Sequence, residues 1–140
     1  MGDLSVFFAQ YANAETTESF IVSERFKDQS GTPVPWKLRS MTEEENEQCR
    51  KSATRRVKGK GGVLVSETNP EEYLAKLVSA SVVFPNLKDA ELQQSYGVLG
   101  SETLLKKMLL PGEYASLLGK VQEMNGYDKN LNDLTDEVKN

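Results

Sequence analysis

Cys49 is the only thiol in this 140-residue chain, and no histidine accompanies it. A cysteine nucleophile works as its thiolate, and the commonest base that would make one is missing. The same absence removes the usual zinc ligand, because a single cysteine cannot build a zinc site. A small buried residue on a helix is the plainer reading of Cys49. Asp128, Asn130 and Asn132 carry the spacing of the first ligands of a calcium loop. The position that needs a sharp-turn glycine holds Asp133, and the position that needs a bidentate glutamate holds Lys139. A polar helix start explains the three residues better. Gly112 and Gly119-Lys120 faintly match a phosphate loop, but too many residues separate the glycines and Val121 follows the lysine. No G-x-S-x-G elbow occurs, and no carboxylate sits in an apolar setting that would single it out as an acid. These residues predict no catalytic group, no metal and no cofactor.

Charge is more informative than chemistry. Residues 42–60 hold the acids Glu43, Glu44, Glu45 and Glu47 and the bases Arg50, Lys51, Arg55, Arg56, Lys58 and Lys60, a local +2 in a chain of net −4. The remainder is then 11 bases against 17 acids, or −6. Three readings of this basic spot stand side by side: a solvated helix end, a contact for an acidic protein, or a phosphate contact. No aromatic residue interleaves the bases, which argues against a platform for stacked nucleotides and makes nucleic acid the weakest of the three. Arg55 and Arg56 are its central candidates.

The second candidate surface is apolar. Leu4, Phe7, Phe8 and Tyr11 recur at helical spacing, and the polar stretch Asn13–Ser19 separates them from everything that follows. The stripe either folds back on the core or docks on another subunit or partner.

The elements that would position these groups follow from patterning. Phe20–Val22 and Val34–Met41 read as two strands of one hairpin, with Trp36 and Leu38 on one face and Lys37 and Arg39 on the other. Thr42-Glu43-Glu44-Glu45 forms a capping box that opens a helix running to about Val57, with a thin stripe of Cys49, Ala53 and Val57. Gly59-Lys60-Gly61-Gly62 ends it, and Val63-Leu64-Val65 is either a short strand or a packed loop. Asn69-Pro70 starts a broad apolar helix through Leu74, Leu77, Val78 and Val82 to Phe84, closed by Pro85. Shorter helices follow: one from Asn86 to Gly97, one from Ser101, and one after Leu110-Pro111-Gly112 through Leu117 and Val121 to Gly126. Leu131, Leu134 and Val138 form a last weak stripe.

The fold class expected is α+β and mainly helical, a short β-hairpin packed on about five or six helices. Residues 1–14 form an N-terminal helix that serves as a candidate docking arm, residues 15–128 a single globular domain, and residues 129–140 a C-terminal helix or tail. With 38% hydrophobic and 27% charged residues, the composition is that of an ordinary globular chain. No apolar run reaches the roughly 18 residues a membrane span needs. The N-terminus lacks a signal-peptide pattern and, with Val6, a myristoylation motif. The expected location is the cytoplasm.

Two long segments resemble a known family. VSERFKD and PVPWKLRSMTEEENEQCRK, then EEYLAKLVSASVVFPNLKDAELQQSYGVLGSETLLKKMLLPGEYASLLGKVQEMNGYD, are similar to the XkdN-like tail assembly chaperones of tailed phages and prophages. The resemblance spans about residues 20–58 and 71–128, and leaves the N-terminal stripe and the 59–68 loop untouched. It implies a non-enzymatic protein that coats the tape-measure protein, keeps it soluble until tail-tube subunits displace it, self-associates on it, and is absent from the finished virion. It also implies a longer frameshifted form, for which Lys139-Asn140 offers a slippery codon pair. The alternatives are a structural tail component retained in the particle and a small nucleic-acid-binding regulator using Arg55 and Arg56.

Overall fold

The structure is a computed structural model, and it describes residues 3–127. The Asp128–Asn132 run and the Leu131, Leu134, Val138 stripe lie outside the described residues.

A 3₁₀ turn over Asp3–Phe7 precedes β1 (Thr17–Phe20) and β2 (Trp36–Arg39). Next come α1 (Glu43–Ser52), β3 (Thr54–Lys58), β4 (Leu64–Thr68), α2 (Pro70–Ser81) and β5 (Val82–Phe84). The chain closes with α3 (Ala90–Ser95), α4 (Ser101–Met108) and α5 (Pro111–Gln122), which runs into a π turn over Glu123–Tyr127. The class is α+β: five α-helices among the described residues and two small antiparallel sheets.

Strand order in the first sheet is β1-β2-β5, so β2 is central. Its alternation is the one its sequence predicts, with Trp36 and Leu38 buried and Lys37 exposed. Leu38 stands opposite Glu18 on one side and Val82 on the other. The Trp36–Leu38 face packs with Leu77 and Val78 of α2, Leu104, Leu105 and Met108 of α4, and Leu117 and Val121 of α5. Each large apolar side chain fully removed from water in this cluster contributes roughly 1.5–3 kcal/mol of transfer free energy. The phenyl ring of Phe26 leans on Trp36 with ring centroids 5.9 Å apart.

Local signals start the helices as expected. Thr42 and Glu45 complete the capping box of α1, and the Asn69 side chain accepts from the Glu72 amide ahead of Pro70. The ends differ from the sequence-based expectation in three places. First, α1 stops at Ser52 instead of continuing to Val57. The Thr54 hydroxyl donates to the Arg50 carbonyl at 2.7 Å and leads the chain into β3. Thr54–Lys58 then pairs residue for residue with Leu64–Thr68 across a glycine turn. Gly61 and Gly62 hold φ of 71° and 77° there, a conformation glycine reaches without a Cβ clash. Second, α2 stops at Ser81. Val82-Val83-Phe84 is β-branched and aromatic, and Pro85 biases its neighbour toward extended backbone, so the segment becomes β5 rather than a last helical turn. Third, β1 begins in the polar stretch read as a linker and ends at Phe20, where the first strand was expected to begin, so Ile21 and Val22 lie beyond it. Backbone pairing with β2 from Thr17 to Phe20 needs no apolar alternation, and three of its four side chains face water.

The loop after β1 is tied to the opposite end of the fold. Arg25 donates through Nη2 to the Met108 carbonyl at 2.9 Å, and through Nε to the Glu113 carboxylate at 3.1 Å. Glu113 also accepts from the Leu110 amide at 2.8 Å, which caps α5. The Arg25 hydrogen bond, followed by those of Ser23 and Leu110, holds the Glu113 carboxyl at about 2, well under its ordinary 4.5. A depressed carboxylate stabilises the fold above its unfolded value and loses that contribution as pH falls through the folded one. In urea titrations Glu113→Gln is therefore expected to flatten the loss of stability between pH 4.5 and about 2, and to leave its shape above that window unchanged. An acid limb identical to that of the parent would show that Glu113 does not carry it.

Candidate interaction surfaces

The N-terminal residues meet water. Leu4 is 70% exposed, Phe7 75%, Tyr11 67% and Phe8 47%. The expectation of an α-helix is corrected to a 3₁₀ turn continued by single turns, with Phe8 N–H donating to Ser5 O at 3.1 Å and Tyr11 N–H to Phe8 O at 2.9 Å. A helix this short has too few hydrogen bonds to offset nucleation without a packed face. The alternative in which the stripe folds back on the core is not what the structure has, because no residue of the turn is buried. What remains is a short arm of large apolar groups attached to the edge strand β1.

The basic spot is a β-ribbon rather than a helix end. Only Arg50 and Lys51 lie in the last turn of α1, where the helix dipole favours them. Arg55 and Arg56 are neighbours on β3 and so point to opposite faces. Arg55 forms a two-pronged pair with Glu72 of α2, at 2.7 and 2.9 Å, and its role is to fasten the ribbon root. Arg56, Lys58 and Lys60 make no ion pair among the described residues. Arg56 and Lys58 share a face with Leu64, Ser66 and Thr68, and no acid lies on that face. It borders an open groove of about 340 Å³ that also reaches Arg50, Lys51 and Glu47, the last paired with Lys51 at 3.2 Å. The reverse face carries the Val57–Val65 and Arg55–Glu67 pairs and is neutral.

Sequence reasoning left the ribbon tip undecided. Val63, Leu64 and Val65 are 63%, 56% and 46% exposed, so the run is not a packed loop. The five-residue match between TRRVK and LVSET around a glycine turn was the signal that identifies a hairpin.

Cys49 is buried, and desolvation pushes its thiol pKa up, which favours the unreactive protonated form. Tyr73 donates to the buried Asn46 amide oxygen, and burial pushes its phenol up to about 12. A groove of about 600 Å³ beside α3, lined by Ala90, Gln93, Gln94, Gly97, Val98 and Leu99, has no titratable side chain. No group of three or more potential metal ligands occurs among the described residues.

Comparison with known proteins agrees with the fold. The family model for the phage XkdN-like tail assembly chaperone protein matches residues 4–139. The protein YqbN of Bacillus subtilis (strain 168) is 35% identical over 142 aligned positions, which cover 99% of this chain and 93% of that protein. The phage-like element PBSX protein XkdN of the same strain is 32% identical, covering 99% of this chain and 94% of XkdN. A crystal structure of YqbN superposes with a TM-score of 0.77 at 26% identity, covering 91% of this chain and 99% of that one.

Proposed function

Because the chain belongs to the phage XkdN-like tail assembly chaperone family, we propose that it binds the tape-measure protein and keeps it soluble until tail-tube subunits polymerise and displace it. The role is non-enzymatic and is performed in the host cytoplasm. The protein leaves with displacement and is not retained in the virion.

The observation that carries this reading is the exposed arm. Leu4, Phe7 and Tyr11 are mostly exposed and Phe8 is about half exposed, so together they present large apolar area to water. Such groups are normally hidden, and a cluster of them on a short arm suits a helical client with an apolar stripe. Weak single contacts become strong when many copies line one long client, and each still releases when a competing tube subunit arrives.

Co-expression tests it. A tape-measure protein from the same phage or prophage should move from the pellet to the soluble fraction when the chain is present, and should co-purify with it. Mass spectrometry of purified particles should find no copy of the chain. A tape-measure protein equally insoluble with and without the chain would end this reading. A stoichiometric band in finished particles would replace it with that of a structural tail component.

A further inference from the structure

We infer that residues 128–140 lay their apolar stripe, Leu131, Leu134 and Val138, over the exposed arm of the same copy. The cover itself stands on placement and chemistry within the chain. Its use, as a guard on the client site, rests on the function proposed above.

The two segments leave the fold at adjoining points. The Ser40 hydroxyl fastens the root of the arm, donating to the Ala14 carbonyl at 2.7 Å and accepting from the Thr16 amide at 2.8 Å. The next residue fastens the end of α5, because Met41 N–H donates to the Asn125 side-chain oxygen at 2.8 Å. Lys120 of α5 also reaches Glu18 of β1 at 3.3 Å. Tyr127 lines one cleft with Met41 and Asn46. Consecutive Cα atoms are only about 3.8 Å apart, so the arm and residues 128–140 set out from one spot. Leu131 follows Tyr127 by four residues and Val138 follows it by eleven. Those lengths reach at most about 13–14 Å and about 36–40 Å. Tyr11 precedes Ala14 by three residues, so the arm lies within that reach.

Residues 128–140 lie outside the described residues, and their sequence suits the arm. Leu131, Leu134 and Val138 repeat the i, i+3, i+7 spacing of Leu4, Phe7 and Tyr11. Asp3 is the only charged side chain between residues 3 and 14, so the arm offers an apolar contact rather than an ionic one. The ribbon is the rival seat, because residues 128–140 hold four acids against two bases, net −2. It is badly placed. Glu43 at the start of α1 lines the Tyr127 cleft, whereas the ribbon follows the end of α1, ten residues or about 15 Å further on. Its free face would also set three large apolar groups against Arg56 and Lys58.

A tether of a few residues gives an effective concentration of about mM. A contact of that modest strength is closed much of the time within one copy and negligible between separate copies. It lies outside the cooperative core and opens at little cost, so the urea midpoint does not register it. A long client gripped by many copies outcompetes it, and the arm is uncovered only where a client is present.

Two client-free measurements on the full chain test the cover. Benzoylphenylalanine placed at Phe7 should, on irradiation, form an adduct within residues 128–140 that keeps the mass of one chain. The same probe at Leu64 of the ribbon should not. L131S/L134S/V138S should bind severalfold more anilinonaphthalene sulfonate than the parent, with an unchanged circular-dichroism melt, as apolar surface is uncovered. Adding L4A/F7A/F8A/Y11A should remove that rise. An adduct that joins two chains, one that lands outside residues 128–140, or one formed from Leu64 instead would overturn the inference. So would dye binding that stays at the parent level in the serine variant, or a rise that survives loss of the arm. With the tape-measure protein present, the serine variant should solubilise it at a lower ratio of chain to client. An unchanged ratio beside a proven cover would count against the arm as the client site, not against the cover.

Discussion

Leu38→Ala is expected to lower the stability of this protein by about 2–5 kcal/mol, the range for emptying a fully buried leucine site. Leu38 is 0% exposed at the middle of the central strand, with a strand on each side and helices over its inner face. The loss has two parts. Removing the side chain forfeits its transfer free energy, and the space left is held open because the β2 backbone is paired along both edges and cannot collapse inward. Domains of this size are commonly stable by only about 5–15 kcal/mol, so the variant will lose a large share of its margin. The midpoint of urea unfolding should fall while the slope stays constant. Leu64→Ala is the control. Leu64 is 56% exposed on the ribbon, and its replacement should change stability by no more than about 0.5 kcal/mol. Equal losses at the two positions would mean that the core has been assigned to the wrong residues.

The combined substitution L4A/F7A/F8A/Y11A is expected to abolish solubilisation of the tape-measure protein without moving the unfolding midpoint. The four side chains offer roughly 6–10 kcal/mol of transfer free energy if buried at an interface. Ordering the arm and losing translational freedom consume much of it. Even if only about 3 kcal/mol survives, affinity changes by about a hundredfold. Stability should be indifferent because none of the four is buried in the free chain. Co-expression of the variant with the tape-measure protein gives the answer in one gel, read beside its urea curve. A variant that solubilises as well as the parent would move the client site elsewhere on the chain. A destabilised variant would show that the arm does pack on the core in solution.

Much of the fold was legible because local chemistry and tertiary packing agree there. The capping box at Thr42, the Asn69-Pro70 start and the alternation of Trp36 to Arg39 each have a near-unique local reading, and each is found in place. The departures occur where two local signals compete. Arg50 to Val57 has apolar residues at helical spacing, but Thr54, Val57 and the glycine turn also fit a hairpin, and pairing with Leu64–Thr68 decides between them. Val82-Val83-Phe84 continues the apolar face of α2 equally well, and the vacant edge of β2 claims it. β1 was hidden because a half-exposed edge strand of polar residues carries no hydrophobic period. The same reasons limit the candidate site. The arm residues were visible in the sequence as an apolar stripe, but periodicity alone left open whether it folds back on the core. The division of labour between Arg55 and Arg56 was not visible, because it follows from strand alternation and from Glu72, seventeen residues away.

The placement of β2 has a consequence for synthesis. Its second neighbour begins at Val82, 46 positions after Trp36. A ribosome adding about 5–20 residues per second needs roughly 2–9 s to produce that stretch. Until then the first sheet lacks an edge, and even afterwards Trp36 and Leu38 await α4 and α5, which end at Met108 and Gln122. The ribbon, whose strands are separated by a single turn, is complete well before. Emergence of the nascent chain therefore completes the charged ribbon after the β1–β2 pair and before the oily interior is sealed.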